Sequence, residues 1–254
     1  MFGLVGLTVA QTQFVKMVGT ADYDWGLSVV QTQDKGFMVA GTTSNLNYGP
    51  VILCRFDSLG NYLWTRKIDG IGVGAPGMGV RNFLIATSDG GFAIAGWMGG
   101  TPDIVLVKLD GNGNLQWART IGGTGNDYGC GLVQTTDGGF AVTGYAESWG
   151  VSSLQDLVLT KFDASGNHLW TTVLENPGGI LVRGYAVILT PDKGFAVAGV
   201  TTVGAATTDA LLVRLDSLGN YQWNRTLNGG SWDYGHSLVR VSDGGFVVGG
   251  YSYL

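Results

Sequence analysis

The stretch "DSLGNYLW" at residues 57–64 reads as a tight turn entering a strand, and the chain uses it repeatedly. It returns as "DGNGNLQW" (110–117), "DASGNHLW" (163–170) and "DSLGNYQW" (216–223), which sets Trp64, Trp117, Trp170 and Trp223 at intervals of 53 residues. A second phrase alternates with it: "DKGF" (34–37), "DGGF" (89–92 and 137–140), "DKGF" (192–195) and "DGGF" (243–246). The spacing between the two phrases varies while the stride holds. The unit is therefore set by fold geometry, and the loops inside it are free to change length.

Each unit holds four apolar runs bounded by Gly, Asp or Asn. In the third they are "GLVQTTD", "FAVTGY", "DLVLTKFD" and "HLWTTVL", short and rich in β-branched residues as strands are. The "DGG" and "xxGN" phrases are short enough to close antiparallel hairpins, with glycine supplying the positive φ. A repeated four-stranded antiparallel meander of about 50 residues is the pattern of a β-propeller blade.

The chain ends fit the same pattern. Phe14 precedes Phe37 by the offset that separates Trp117 from Phe140, and "FVKMVG" (14–19) matches "WARTIG" (117–122). The C-terminus stops two strands into its unit. The sequence thus predicts an all-β, five-bladed β-propeller with four antiparallel strands per blade, a single domain over 1–254. Its fifth repeat is split between residues 1–23 and 233–254, so that N-terminal and C-terminal strands close the ring in one blade and remove its free edges. Residues 2–9 read either as that closing strand, the preferred reading, or as the end of a secretory signal with no basic residue before it.

Composition agrees and excludes several functions. The chain is 45% hydrophobic and contains 44 Gly without a G-X-Y period, which favours turn-rich β structure over collagen. The formal charge is −5 and no run of Lys or Arg occurs, so nucleic acid is not an expected partner. No stretch approaches the roughly 18 apolar residues that a spanning helix needs, so membrane insertion is not expected. Cys54 and Cys130 are too few for a disulfide scaffold. Cys54 fills the slot of Val107, Thr160 and Val213 and reads as a small buried residue. Cys130 and His236 share a blade position, yet no further ligands converge there, so neither metal nor cofactor is expected.

The phrases "DGGFAVTGY", "DLVLTKFD", "LDSLGNYQW" and "RTLNGGSWDYGHSLV" resemble the β-propeller repeats of many extracellular proteins of bacteria and archaea, over essentially the whole chain. The resemblance implies a secreted or cell-surface location. It implies no active site, because that family is defined by its blades rather than by a chemistry. The second copy departs from the pattern at "GIGVGAPGMGVRNF" (70–83), and the fourth lacks the Asp-aromatic-Gly phrase of the others.

In a meander, the DGG and xxGN turns share one face and the variable loops share the other. Binding is expected on the variable-loop face. Three blades enter it with Asp24-Trp25-Gly26, Asp127-Tyr128-Gly129 and Asp233-Tyr234-Gly235, and Trp232 precedes the last. A carboxylate beside an aromatic ring suits a sugar, whose hydroxyls seek acceptors and whose C–H face stacks on rings. The competing reading makes each Asp an acceptor for loop N–H groups and each ring an inter-blade packing group. Trp97 and Trp149 break the repeat beside variable loops and join the ligand or interface candidates. Arg55, Lys108, Lys161 and Arg214 stand two residues before Asp57, Asp110, Asp163 and Asp216, and strand alternation predicts that they pair with them.

Catalytic residues should break a repeat, whereas Asp24, Asp127 and Asp233 obey it. The acids that break it, Asp22, Asp69, Glu147 and Glu175, are scattered over loops. A glycoside hydrolase, which needs two carboxylates in different environments, is therefore disfavoured. The sequence points to a non-catalytic extracellular binding module for glycan or protein. The alternative is a self-assembling structural subunit of a surface layer or filament.

Overall fold

The computed structural model describes residues 24–43, 50–73, 83–150, 155–175, 181–203, 207–229 and 232–253. The closing segment 1–23, Phe14 included, lies outside them. All regular structure among the described residues is β. Four strands, β1 (Asp24–Gln31), β2 (Phe37–Thr43), β3 (Val51–Phe56) and β4 (Tyr62–Ile68), form the first antiparallel sheet in chain order. In the second, β5 (Ile71–Gly72) and β6 (Leu84–Ala86) both pair with β7 (Phe92–Met98), followed by β8 (Asp103–Leu109) and β9 (Leu115–Ile121). The out-of-phase glycines of the second copy thus coincide with a divided first strand. β10 (Asp127–Gln134), β11 (Phe140–Ala146), β12 (Asp156–Phe162) and β13 (His168–Leu174) make the third sheet. The fourth contains β14 (Val182–Leu189), β15 (Phe195–Val203), β16 (Thr207–Leu215) and β17 (Tyr221–Leu227). The hairpin β18 (Trp232–Arg240) and β19 (Phe246–Tyr253) joins that sheet through one parallel pair, Thr208 with Trp232.

The core lies between consecutive sheets, in layers. Val51 and Leu53 of the first sheet meet Phe92 and Ile94 of the second. Ala93 and Leu106 meet Leu132 and Phe140 of the third, and Leu157 and Leu159 meet Val187 and Val197 of the fourth. Cys54 is buried, as its slot predicts.

The turn face is stapled by ion pairs, with different partners from those predicted. Arg55, Lys108, Lys161 and Arg214 pair with Asp34, Asp89, Asp137 and Asp192 of the DxG turns. Two causes override simple alternation. The register slips between Arg55 and Phe56, and again at each equivalent position. Asp57 is moreover consumed by its own turn, accepting from the Leu59 and Asn61 N–H groups at 2.9 and 2.8 Å and from Asn61 Nδ2 at 2.8 Å. The hydroxyl of Thr32, with Gly36 N–H and Arg55, holds the Asp34 carboxyl down at about 2. The last glycine of each phrase leaves room for the cation: a Cβ on Gly139 would overlap Lys161 Nζ and the Phe162 carbonyl.

The middle position of that turn has φ of +81° at Gly138, but Lys35 and Lys193 hold φ of +64° and +66°. A left-handed non-glycine residue costs about 1–2 kcal/mol, part of which glycine returns as unfolded-state entropy. Lys35→Gly and Lys193→Gly are each expected to stabilise the fold by about 0.5 kcal/mol. Urea midpoints check this, and a lowered midpoint would contradict the strain.

Candidate functional site

The opposite ends of the strands carry the charge excess. There stand Asp24, Asp69, Asp103, Asp127, Glu147, Asp156, Glu175, Asp209 and Asp233, against Lys67 and Arg183 among the described residues. Lys67 is already paired with Asp69 at 2.8 Å. The turn face carries as many acidic residues among the described residues, but four of them are paired with buried cations, so the net negative charge is larger on the variable-loop face.

Below this rim, strand 1 of four units contains a β-bulge, with Leu27, Cys130, Tyr185 and His236 as the inserted residues. A bulge re-aims its side chain, and here it builds an aromatic layer. Tyr185 stacks on His236 at 5.2 Å, and Tyr234 stacks on Tyr251 at 4.7 Å. Cys130 is fully buried, and desolvation pushes its thiol up to about 12. It is an inert packing group.

The predicted candidates are distributed unevenly over this face. Asp127 is fully buried, and its carboxylate accepts from Gly123 N–H at 3.0 Å, the Ser148 hydroxyl at 2.6 Å, and the Glu147 and Ser148 N–H groups. Burial raises its pKa against the pull of those donors. Asp233 is 5% exposed and accepts from Gly229 N–H at 2.7 Å, the same loop bond. Asp24 is exposed at the entry to β1. Trp97 is buried flat over Gly72, with its edge to Tyr128 at 5.6 Å. Trp149 is half-buried against the core between the second and third sheets. Trp25 and Trp232 expose 45% and 50% of their surface.

Where the fourth unit lacks the Asp-aromatic-Gly phrase, Val182-Arg183-Gly184 takes the same register. Arg183 lies over the Tyr145 ring at 4.8 Å and donates from Nε to Gln155 Oε1 at 2.6 Å. Gln155 in turn donates to Glu147 at 2.9 Å. One cation thus stands inside an acidic, aromatic mouth, signalled in the sequence by its break with the repeat.

The structure brings Asp233 and Tyr234 together in a cleft, with Trp232 next to Asp233 in the chain but outside the lining. Open to solvent and about 580 Å³ in volume, it is lined by Thr226, Asn228, Gly229, Asp233, Tyr234, Tyr251 and Ser252 among others. Trp232 and Tyr253 meet edge to face beside it at 6.2 Å. Tyr251 and Tyr253, which complete this aromatic group, are not among the predicted candidates: Tyr251 ends the DGGF phrase as Tyr145 does and so shows no contrast with the repeat, and Tyr253 lies beyond that phrase. No group of three or more His, Cys, Asp or Glu side chains suited to a metal occurs among the described residues.

No protein-family model matches the chain, and no curated protein matches it. Among solved structures, one assigned as a gluconolactonase aligns over 87% of this chain and 74% of its own, at 13% identity and a TM-score of 0.46. A eukaryotic initiation factor aligns over 87% and 57%, at 8% identity and 0.34. Nothing about this chain's chemistry follows from either.

Proposed function

We propose that the chain is a non-catalytic extracellular binding module, a closed five-bladed propeller that holds a glycan in the cleft beside Asp233. The carrying observation is the cleft itself, in which aromatic faces and hard hydrogen-bonding groups line one open cavity. Tyr251, Trp232 and Tyr253 offer rings to the C–H face of a sugar, while Asn228, Ser252 and Thr226 offer partners to its hydroxyls. Asp233 fixes the loop under them. The extracellular location rests on the family resemblance.

Ring closure is supported by two exposed valines. Val29 is 62% exposed, although its counterparts Leu132, Val187 and Leu238 are buried. Val247 is 52% exposed, although its counterparts Ala93, Ala141 and Ala196 are fully buried. In the inner junctions these two positions face the neighbouring sheet on opposite sides, so closing the ring turns Val29 and Val247 toward each other. Closure predicts that a thiol at Val29→Cys or Val247→Cys is protected from alkylation in the folded chain, as a group buried between two sheets is. Ready labelling at either position would count against closure.

A glycan array with the full chain tests the ligand. The expected result is binding of a defined sugar, weakened about tenfold or more in Trp232→Ala and Tyr251→Ala, as loss of a stacking ring predicts, and unchanged in Trp149→Ala. No sugar bound by the wild-type chain would overturn the reading. The assembly alternative is favoured by apolar groups on the turn face and outer strands, where Leu59, Leu115 and Leu218 are 61%, 65% and 70% exposed. A solution mass above one chain, with no sugar bound, would support it.

A further inference from the structure

The fourth strand of each unit, β4, β9, β13 or β17, pairs with one neighbour only and leaves its other edge open. An open edge is a row of unpaired N–H and C=O groups that can template a further strand, and Lys or Arg on the strand guards it. The repeat supplies that guard two residues after the recurring tryptophan. Arg66, Arg119 and Arg225 lie over Trp64, Trp117 and Trp223 at 5.2, 5.4 and 5.6 Å. On β13 the same position is Thr172, and the strand "HLWTTVL" contains no Lys or Arg. Thr172 instead donates its hydroxyl to the Gly219 carbonyl at 2.7 Å.

A second departure from the repeat meets the first at the same corner. Trp64, Trp117 and Trp170 rest on Gly113, Gly166 and Gly219 of the following turn. The residue before that glycine is Asn112 under Trp64 and Ser165 under Trp117, whose carbonyl accepts from Arg119 at 3.1 Å. Under Trp170 it is Leu218, 70% exposed, and Leu169 beside Trp170 is 53% exposed. One change removes a cation from the strand, and the other puts a leucine where the other turns hold a polar side chain. Among the described residues, β13 makes no backbone–backbone hydrogen bond outside its ladder with β12.

We infer that the open edge of β13 pairs antiparallel with β13 of a second copy of this chain, forming a two-fold dimer. About an axis through Thr171 the strand is its own complement: Leu169 opposes Val173, Trp170 opposes Thr172, and His168 opposes Leu174. Aromatic and β-branched side chains facing across strands are favourable pairs, and no like charges meet. Pairing with β4, β9 or β17 of another copy would bury Arg66, Arg119 or Arg225. Among the described outer strands, only β13 with itself buries no Lys or Arg. Such a contact uses the same patch on both chains and closes, so assembly stops at two. Seven paired residues make a small interface, of the weak and reversible kind.

Sedimentation equilibrium on the full chain, with no sugar present, tests this. The expected mass at micromolar concentration is that of two chains. Thr172→Arg restores the residue that three other units carry, so the fold accommodates it, and it should raise the dissociation constant about 100-fold or more by burying two cations. Thr172→Ser keeps a small hydroxyl and should change it by about twofold at most. Amide exchange gives a second readout: β13 should gain protection as concentration rises, while β4, β9 and β17 should not. A wild-type mass of one chain or of more than two, or a dimer that survives Thr172→Arg, would overturn the pairing. No residue of β13 lines the cleft beside Asp233, so this result and the glycan array fail independently.

Discussion

Gly144→Ala is expected to destabilise the protein by about 3 kcal/mol or more, a large share of the roughly 5–15 kcal/mol that holds a domain folded. Gly41, Gly96, Gly144, Gly199 and Gly250 recur in the second strand of each unit, and a Cβ on Gly144 would overlap the Tyr128 carbonyl oxygen. The cause is the bulge on the facing strand. Inserting Cys130 between Gly129 and Gly131 kinks β10 and drops the Tyr128 carbonyl onto the glycine opposite. A side chain in the way could rotate; a main-chain carbonyl inside a paired ladder cannot. Gly199→Ala meets the Arg183 carbonyl in the same manner and should behave alike. Gly100→Ala is the control, since a Cβ there meets nothing within 4 Å. Urea denaturation followed by circular dichroism reads all three. A Gly144→Ala midpoint near that of the wild type would mean that the bulge is not as described.

That glycine shows where the sequence was legible and where it was not. Turns announce themselves because their chemistry is local: Asp, Gly and Asn at fixed offsets name the hairpins, and the stride names the repeat. The meander order of four strands followed from these alone. Gly144 recurs as regularly, but its reason is a carbonyl on another strand, which no spacing shows. The ion pairs were misassigned for a related reason. Arg55 and Asp57 lie on one strand, and period-two alternation pairs them, but the slip after Arg55 and the turn donors around Asp57 send the guanidinium to Asp34.

The variable-loop face was placed from topology, while its chemistry was only partly legible. Asp127 and Asp233 were marked by their phrase, and both carboxylates hold loop N–H groups. Trp97 was singled out for breaking the repeat, yet Gly72 opposite it makes a slot that buries the ring. A break in a repeat marks a difference in environment, and burial decides whether that difference reaches solvent. Asp103, Asp156 and Asp209 obey the stride and carried no contrast, so only the buried carboxylate oxygen that each keeps without a hydrogen-bond donor distinguishes them.

Trp117→Ala should cost about 3 kcal/mol, at the lower end for loss of a large aromatic because the ring is half-buried. The ring is held on three sides: the edge-to-face contact with Phe140 at 5.7 Å, the Arg119 guanidinium at 5.4 Å and, from the next sheet, Gly166. Gly166 belongs to the turn that launches Trp170, and Trp170 rests in the same way on Gly219. Each turn therefore supports the tryptophan before it and positions the one after it, which locks the stride while the loops vary. Trp117→Phe keeps an aromatic ring against Gly166 and should cost only about 1 kcal/mol; Phe14 holds that slot by spacing in the segment outside the described residues. Gly166→Ala combines a φ of +81° with a Cβ driven into the Trp117 ring. Its loss should fall well short of additive with Trp117→Ala, because the two share one contact. Urea midpoints for the two single variants and the double variant decide it: full additivity would mean that the recurring tryptophan does not act through the next turn, and the fixed stride would need another cause.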